Sequence, residues 1–110
     1  MSFEVVATER FECKIRRFRK KYASADDDYE RLLDELETTP QLGEPLGRDC
    51  FKVRMRIKSK NAGKSGGGRV ITCVKIIGEK IYLLTIYDKS EQATITDNER
   101  DDLLRESGLL

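Results

Sequence analysis

The chain has 110 residues, 38% of them hydrophobic and 37% charged, with a formal net charge of only +1. That length supports a single folded domain over residues 1–110 with one core, and periodic apolar positions along most of the chain argue against wholesale disorder. Histidine is absent, which removes the usual general base, most zinc sites and every Ser-His or Cys-His nucleophile pair.

Cys13, Cys50 and Cys73 are odd in number and widely spaced, so reduced, semi-buried thiols are expected rather than a disulfide framework or a CxxC metal site. No apolar run approaches bilayer length and no signal pattern opens the chain. A cytosolic location with no membrane partner is therefore expected.

In chain order, residues 2–7, SFEVVA, predict a short strand. Thr8 is placed to cap a helix with Phe11, Ile15, Phe18 and Tyr22 on one stripe, whose other faces carry Arg16, Arg17, Arg19, Lys20 and Lys21. The stripe reads as core, and its cationic neighbours as a solvated face or a second nucleic-acid contact. The acids of SADDD suit the positive end of a second helix, buried through Tyr29, Leu32, Leu33 and Leu36. Helix capping is favoured over Mg²⁺ binding for residues 26–28, because no second acidic cluster stands at metal-ligand spacing. Pro40, Gly43, Pro45 and Gly47 mark residues 41–49 as a turn-rich connection.

From Cys50 the period changes to two. Phe51, Val53, Met55 and Ile57 face one way and Lys52, Arg54, Arg56 and Lys58 the other, which predicts a one-sided strand over residues 50–57. Strands are predicted again at 69–77 and 80–87, joined by Gly78-Glu79 as a two-residue hairpin turn that would set Arg69 opposite Asp88. Thr96 and Glu99 form a capping box opening a last helix with Leu103 and Leu104, ending near Gly108.

Arg48 to Arg69 holds eight Lys or Arg against one acid, Asp49, in a chain of near-zero net charge. Such a concentrated positive field suits a polyanion, since Lys and Arg contacts to phosphate displace condensed counterions. The Gly63-Lys64-Ser65 run is not an ATPase loop, because GxxxxGK[ST] needs glycine at position 58, where Lys58 stands. The same alternation on its own would describe the solvated face of a strand; the adjoining glycine-rich basic loop favours a polyanion contact instead.

CFKVRMRI at 50–57, GKSGGGRVIT at 63–72, IYLLTIYDKSEQ at 81–92 and the following TDNERDDLL resemble the RelE/ParE superfamily of toxin-antitoxin toxins, closest to HigB-like RelE toxins. The resemblance covers almost the whole chain and implies an α+β RelE-like fold, β-α-α-β-β-β-α. In it an N-terminal helical hairpin packs on one face of a small antiparallel sheet, and a short C-terminal helix follows. It implies a ribosome-dependent mRNA endonuclease acting in the A site, with ribosomal RNA as a contact and a cognate antitoxin as partner.

Residue by residue, the resemblance matches Lys52 and Arg54 to the family's basic pair on the central strand. Arg69 matches the arginine that opens the next strand, and Lys89 the basic residue just after the last one. The family's catalytic tyrosine has no counterpart in ATIT at 93–96, and Tyr87 is the nearest phenol. Chemistry from these residues would use no metal and no cofactor: attack by an RNA 2′-hydroxyl on its own phosphate, with Arg54 and Arg69 on the non-bridging oxygens. Lys52, Lys89 or Tyr87 would move the protons. Arg56, Lys58, Lys60, Lys64 and Ser65 would bind the RNA backbone. Two other readings stand beside it: a ParE-type toxin that inhibits DNA gyrase by binding, against which LLTIYDKSE and the basic residues argue, and a non-catalytic RNA-binding subunit, which would share the charge pattern.

Overall fold

A computed structural model describes residues 3–60 and 67–110. Strand β1 (Glu4–Ala7) leads into helix α1 (Glu9–Lys21), and helix α2 (Ala25–Thr38) follows after a short corner. Strands β2 (Glu44–Gly47) and β3 (Cys50–Met55), a single 3-10 turn at Lys58–Lys60, strands β4 (Gly68–Lys75) and β5 (Lys80–Asp88), and helix α3 (Asp97–Glu106) complete the order. The fold is α+β as expected, with differences of detail that bear on the site.

The sheet has five strands in the order β1-β5-β4-β3-β2. Strands β2 to β5 pair antiparallel, whereas β1 joins the edge of β5 in parallel, so the sheet is mixed rather than wholly antiparallel. Residues 44–47, expected as part of a turn-rich connection, form the short edge strand β2, in which Glu44 stands opposite Lys52. Pro45 is tolerated there because an edge strand needs ladder bonds on one side only.

The β4–β5 hairpin is closed by four residues, not two: Lys75 pairs with Lys80, and the turn runs through Gly78 and Glu79, both at positive φ. A bulge then leaves Leu84 unpaired, because Ile71 faces Thr85 and Thr72 faces Leu83. Turn and bulge together move the register one residue from the expected one. Gly68 faces Asp88 and Arg69 faces Tyr87.

One core was expected, but the apolar residues bury on both sides of the sheet. Phe11, Ile15 and Phe18 of α1 and Leu32 and Leu36 of α2 pack with Val53, Met55, Val70, Leu83 and Ile86 on the first face. On the second, Cys50, Ile71, Cys73 and Leu84 lie beneath Leu104 of α3. The alternation of β3 accounts for the division: its odd positions enter the helical-hairpin side, and Cys50 begins the other row. Cys50 and Cys73 are buried, directly opposed and free, while Cys13 is exposed on α1.

Local signals at the helix starts act as expected at two ends. Thr8 accepts from the Phe11 N–H, and Thr96 with Glu99 closes a reciprocal capping box. At the start of α2 the acids do not all act as expected: Asp28 is buried, and the Ser24 side chain at the N-cap makes no capping bond. Among the described residues, no helix is long and apolar enough to cross a membrane.

Gly43 sets where β2 begins. Its φ is +103°, and an added Cβ would lie 2.4 Å from the Lys52 carbonyl oxygen. Gly43→Ala is expected to destabilise the fold by at least about 1–3 kcal/mol, from backbone strain and displacement of β2. Urea unfolding of the two proteins checks this.

Candidate nucleic-acid interface

The β3–β4 ladder decides which side chains meet. The Val74 N–H bonds to the Asp49 carbonyl at 2.9 Å, making that a hydrogen-bonded pair. By alternation, Cys50/Cys73, Lys52/Ile71 and Arg54/Arg69 fall at the non-hydrogen-bonded sites, where opposed side chains stand closest. All of these lie on the second face. Helix α3 packs on this face through Leu104 and is tied to β2 by Arg100, whose Nη1 donates to the Leu46 carbonyl at 2.5 Å. Lys52, Arg54, Arg69 and Tyr87 lie further along the same face, Arg69 and Tyr87 buried, Lys52 half-buried and Arg54 exposed.

Within this group the environments differ sharply. Arg54 is exposed, while Arg69 opposite it is only 5% exposed and donates from Nη1 to the Gly68 carbonyl at 3.0 Å. Burial lowers the Arg69 pKa from its usual value and the Arg54 charge lowers it further, with the nearby Tyr87 opposing both. Lys52 is half-buried, and its Nζ lies 3.1 Å from Glu44 Oε2 across the β2–β3 pair. The row of cations that Lys52 belongs to therefore includes a carboxylate beside it. Glu44 escaped the sequence reading because it sits in a segment dominated by turn residues.

Tyr87 is buried beside Arg69, and its hydroxyl donates to the Ala93 carbonyl at 3.4 Å. Burial pushes its pKa up, and Arg69 pulls the other way. The phenol is accordingly held protonated at neutral pH, which suits it to give a proton rather than take one. Lys89 follows β5 directly, and its N–H bonds to the Gly67 carbonyl at 3.0 Å, so it stands at the same sheet end as Arg69.

A cleft of about 440 Å³ opens beside β3 beyond the end of β2, lined in part by Glu44, Lys52, Arg54, Arg56 and Arg69. Arg56 and Lys58 extend the row as exposed side chains after β3 has ended. Lys60 closes the 3-10 turn, and its side chain, with Lys64 and Ser65, lies outside the described residues. A larger cleft of about 610 Å³ lies between α1 and the end of α3. Its cations stand along one exposed helix, with Arg10 held by Glu106 at 2.8 Å, and it brings together no opposed pair like Arg54 and Arg69.

Among the described residues, no three His, Cys, Asp or Glu side chains come together as a metal site. The cleft beside β3 offers the two guanidinium groups of Arg54 and Arg69 for non-bridging phosphate oxygens, a lysine and a carboxylate, and the protonated phenol of Tyr87 is paired with Arg69 on the neighbouring strand.

Fold and site together define a small α+β protein with a row of cations along one sheet face, lining a cleft. Solved structures share this fold. They include a free E. coli RelE toxin in which two arginines are replaced by alanine (15% identity over 98% of this chain and 96% of that one, TM-score 0.60). The isolated E. coli RelE toxin matches at 16% identity, covering 96% of this chain and 99% of that one, TM-score 0.57. A chain of the intact E. coli RelBE toxin-antitoxin complex matches at 17% identity, covering 77% of this chain and 94% of that one, TM-score 0.56. Residues 11–108 match the family described as the RelE toxin of the RelE / RelB toxin-antitoxin system. The chain belongs to the RelE toxin family.

Because Arg69 holds the Tyr87 pKa down against burial, removing its charge must let that pKa rise. In Arg69→Met the Tyr87 phenol is expected to titrate at higher pH than in the parent protein. Carbon-13 NMR of labelled tyrosine across alkaline pH reads this, with Tyr22, Tyr29 and Tyr82 as internal references.

Proposed function

We propose that this protein is the toxin of a toxin-antitoxin pair, HigB-like in its RVIT and LLTIYDKSE segments, that stops translation by cutting mRNA in the ribosomal A site. Family membership supports the toxin role. The observation that carries the nuclease reading is the direct opposition of Arg54 and Arg69, with Lys52 and Tyr87 beside them. Two guanidiniums forced together on a sheet repel, and a phosphate group relieves that repulsion by binding both. A pentavalent phosphorane, with more charge on its oxygens than the ground-state diester, gains more from them.

Attack by the RNA 2′-hydroxyl needs a proton acceptor. Lys52 is engaged by Glu44, so its ammonium serves to hold phosphate oxygens, and Glu44 is the carboxylate in position to take the proton. Tyr87, kept protonated by burial, supplies the leaving 5′-oxygen with a proton. Lys89 at the same sheet end stands as a second donor. Arg56 and Lys58 extend contact along the RNA backbone, together with Lys60, Lys64 and Ser65. The exposed α1 cations Arg16, Arg17 and Lys20 supply a further surface for ribosomal RNA. A cognate antitoxin is the protein partner, by likeness to the RelBE complex, and the reaction takes place in the cytoplasm.

Pulse-labelling after induced expression tests the reading. Incorporation of amino acids should fall before incorporation of thymidine; the reverse order would select gyrase inhibition. Arg69→Ala is expected to remain folded and lose about a hundred- to a thousandfold in single-turnover cleavage of ribosome-bound mRNA.

Glu44→Gln separates two roles for the carboxylate. As the proton acceptor it should cost about 10²–10⁴-fold in rate, while RNA affinity rises because a negative charge has left the cation row. A rate that rises with affinity would make Glu44 a mask over Lys52 and return the base role to the lysine.

A further inference from the structure

The corner between α1 and α2 carries polar side chains that neither helix needs. Ser24 occupies the N-cap position of α2 without capping it. Its Oγ instead donates to Asp28 Oδ2 at 2.7 Å, accepts the Ser59 N–H at 2.8 Å and lies 3.0 Å from Ser59 Oγ. The Ser24 N–H returns a bond to Ser59 Oγ at 3.3 Å. Asp28, whose side chain is fully buried, also accepts the Lys58 N–H at 3.2 Å, and Arg31 Nη1 lies 3.5 Å from its other oxygen.

Two residues before Ser24, the same corner reaches the opposite strand. The Tyr22 hydroxyl donates to Asp88, which is 3% exposed and also accepts from the N–H and Oγ of Ser90 at 2.9 and 2.7 Å. Asp88 faces Gly68, and the next residue's N–H, that of Lys89, holds the Gly67 carbonyl. Gly67 has φ +92°, and an added Cβ would lie 2.8 Å from the Met55 carbonyl oxygen, so the two stems are packed against each other as well.

We propose that this corner is a clamp on both stems of the basic loop. Asp28 and Ser24 fix Lys58 and Ser59 as the chain leaves β3. Tyr22, through Asp88, fixes Gly67 and Gly68 as it enters β4. The cations depending on these stems are Arg56 and Lys58 on one side and Arg69 on the other, so the clamp sets the spacing of the cation row. Asp28 and Tyr22 are positioning residues that touch no substrate. A buried carboxylate is retained at Asp28 because two backbone N–H groups on the 58–59 stem otherwise lose their partners, directly or through Ser24.

The inference rests on the nuclease reading for its consequence but not for its first readout, which is amide hydrogen exchange in the free protein. Asp28→Ala should speed exchange at Lys58 and Ser59 by about tenfold or more, and Tyr22→Phe at Lys89, with β4–β5 core amides unchanged. Asp28→Asn can present its amide oxygen to Ser24 and Lys58, so it should hold exchange near the parent rate. Unchanged exchange at Lys58 and Ser59 in Asp28→Ala would overturn the clamp, whatever the protein does to RNA.

In single-turnover cleavage, Asp28→Ala should lower the maximal rate by about ten- to a hundredfold, as sub-ångström misplacement does, with RNA affinity changed far less. Asp28→Asn should recover most of it. If Ala and Asn fall together in proportion to lost thermal stability, Asp28 is structural only and the inference fails. Should the parent protein cleave nothing, the nuclease reading is lost while the exchange result still decides the clamp.

Discussion

Arg54 and Arg69 face each other across β3 and β4, and the rest of the site depends on their being kept there. Like charges directly opposed on a sheet destabilise the pairing, by roughly 0.2–1 kcal/mol in ordinary cases. Here burial of Arg69 adds to the cost, and both effects lower its pKa in the same direction. The ladder survives because the same two strands are anchored on both sides. Val53, Met55 and Val70 sink under the helical hairpin, and Cys50, Ile71 and Cys73 under α3. A local conflict maintained by the surrounding packing is where function is expected in a fold that is otherwise consistent.

The unequal cover of the two sheet faces turns that conflict into an accessible site. Helices α1 and α2 bury the first face. On the second, α3 has ten residues, about 15 Å of helix, against nine residues and about 30 Å in β5. The short helix, pinned through Arg100 to Leu46, packs over the apolar row, while Arg54 stays exposed and the cleft beside β3 reaches Lys52 and Arg69. Residues of one period-two row thus have different fates: Cys50 is core, Lys52 is half-buried and Arg54 is exposed.

What was legible in the sequence follows from the range of each signal. Helix stripes, the Thr8 and Thr96 caps and the alternation of β3 are local patterns, and they hold in the fold. The register of Arg69 was not legible, because it depends on a four-residue turn and a bulge at Leu84, neither of which the Gly78-Glu79 pair announces. Strand β2 was hidden by Pro45 and Gly47, and with it the approach of Glu44 to Lys52. Asp28 shows the limit most plainly. An acid in the first turn of a helix reads as a dipole partner, and only the tertiary fold brings the Lys58 N–H to it. The parallel docking of β1 likewise has no local signature in four residues.

The central claim is that RNA phosphate binds between Arg54 and Arg69 on the open half of the second face. Its most direct test is NMR observation of the arginine side-chain Nε–H groups while a short RNA, 2′-O-methylated so that it resists cleavage, is titrated in. The account predicts that the Arg54 and Arg69 signals shift together, saturating at one RNA concentration, and that the Arg54→Lys protein loses the paired response at Arg69. Shifts confined to Arg16, Arg17 and Arg19 on α1, with Arg54 and Arg69 unmoved at saturation, would contradict it.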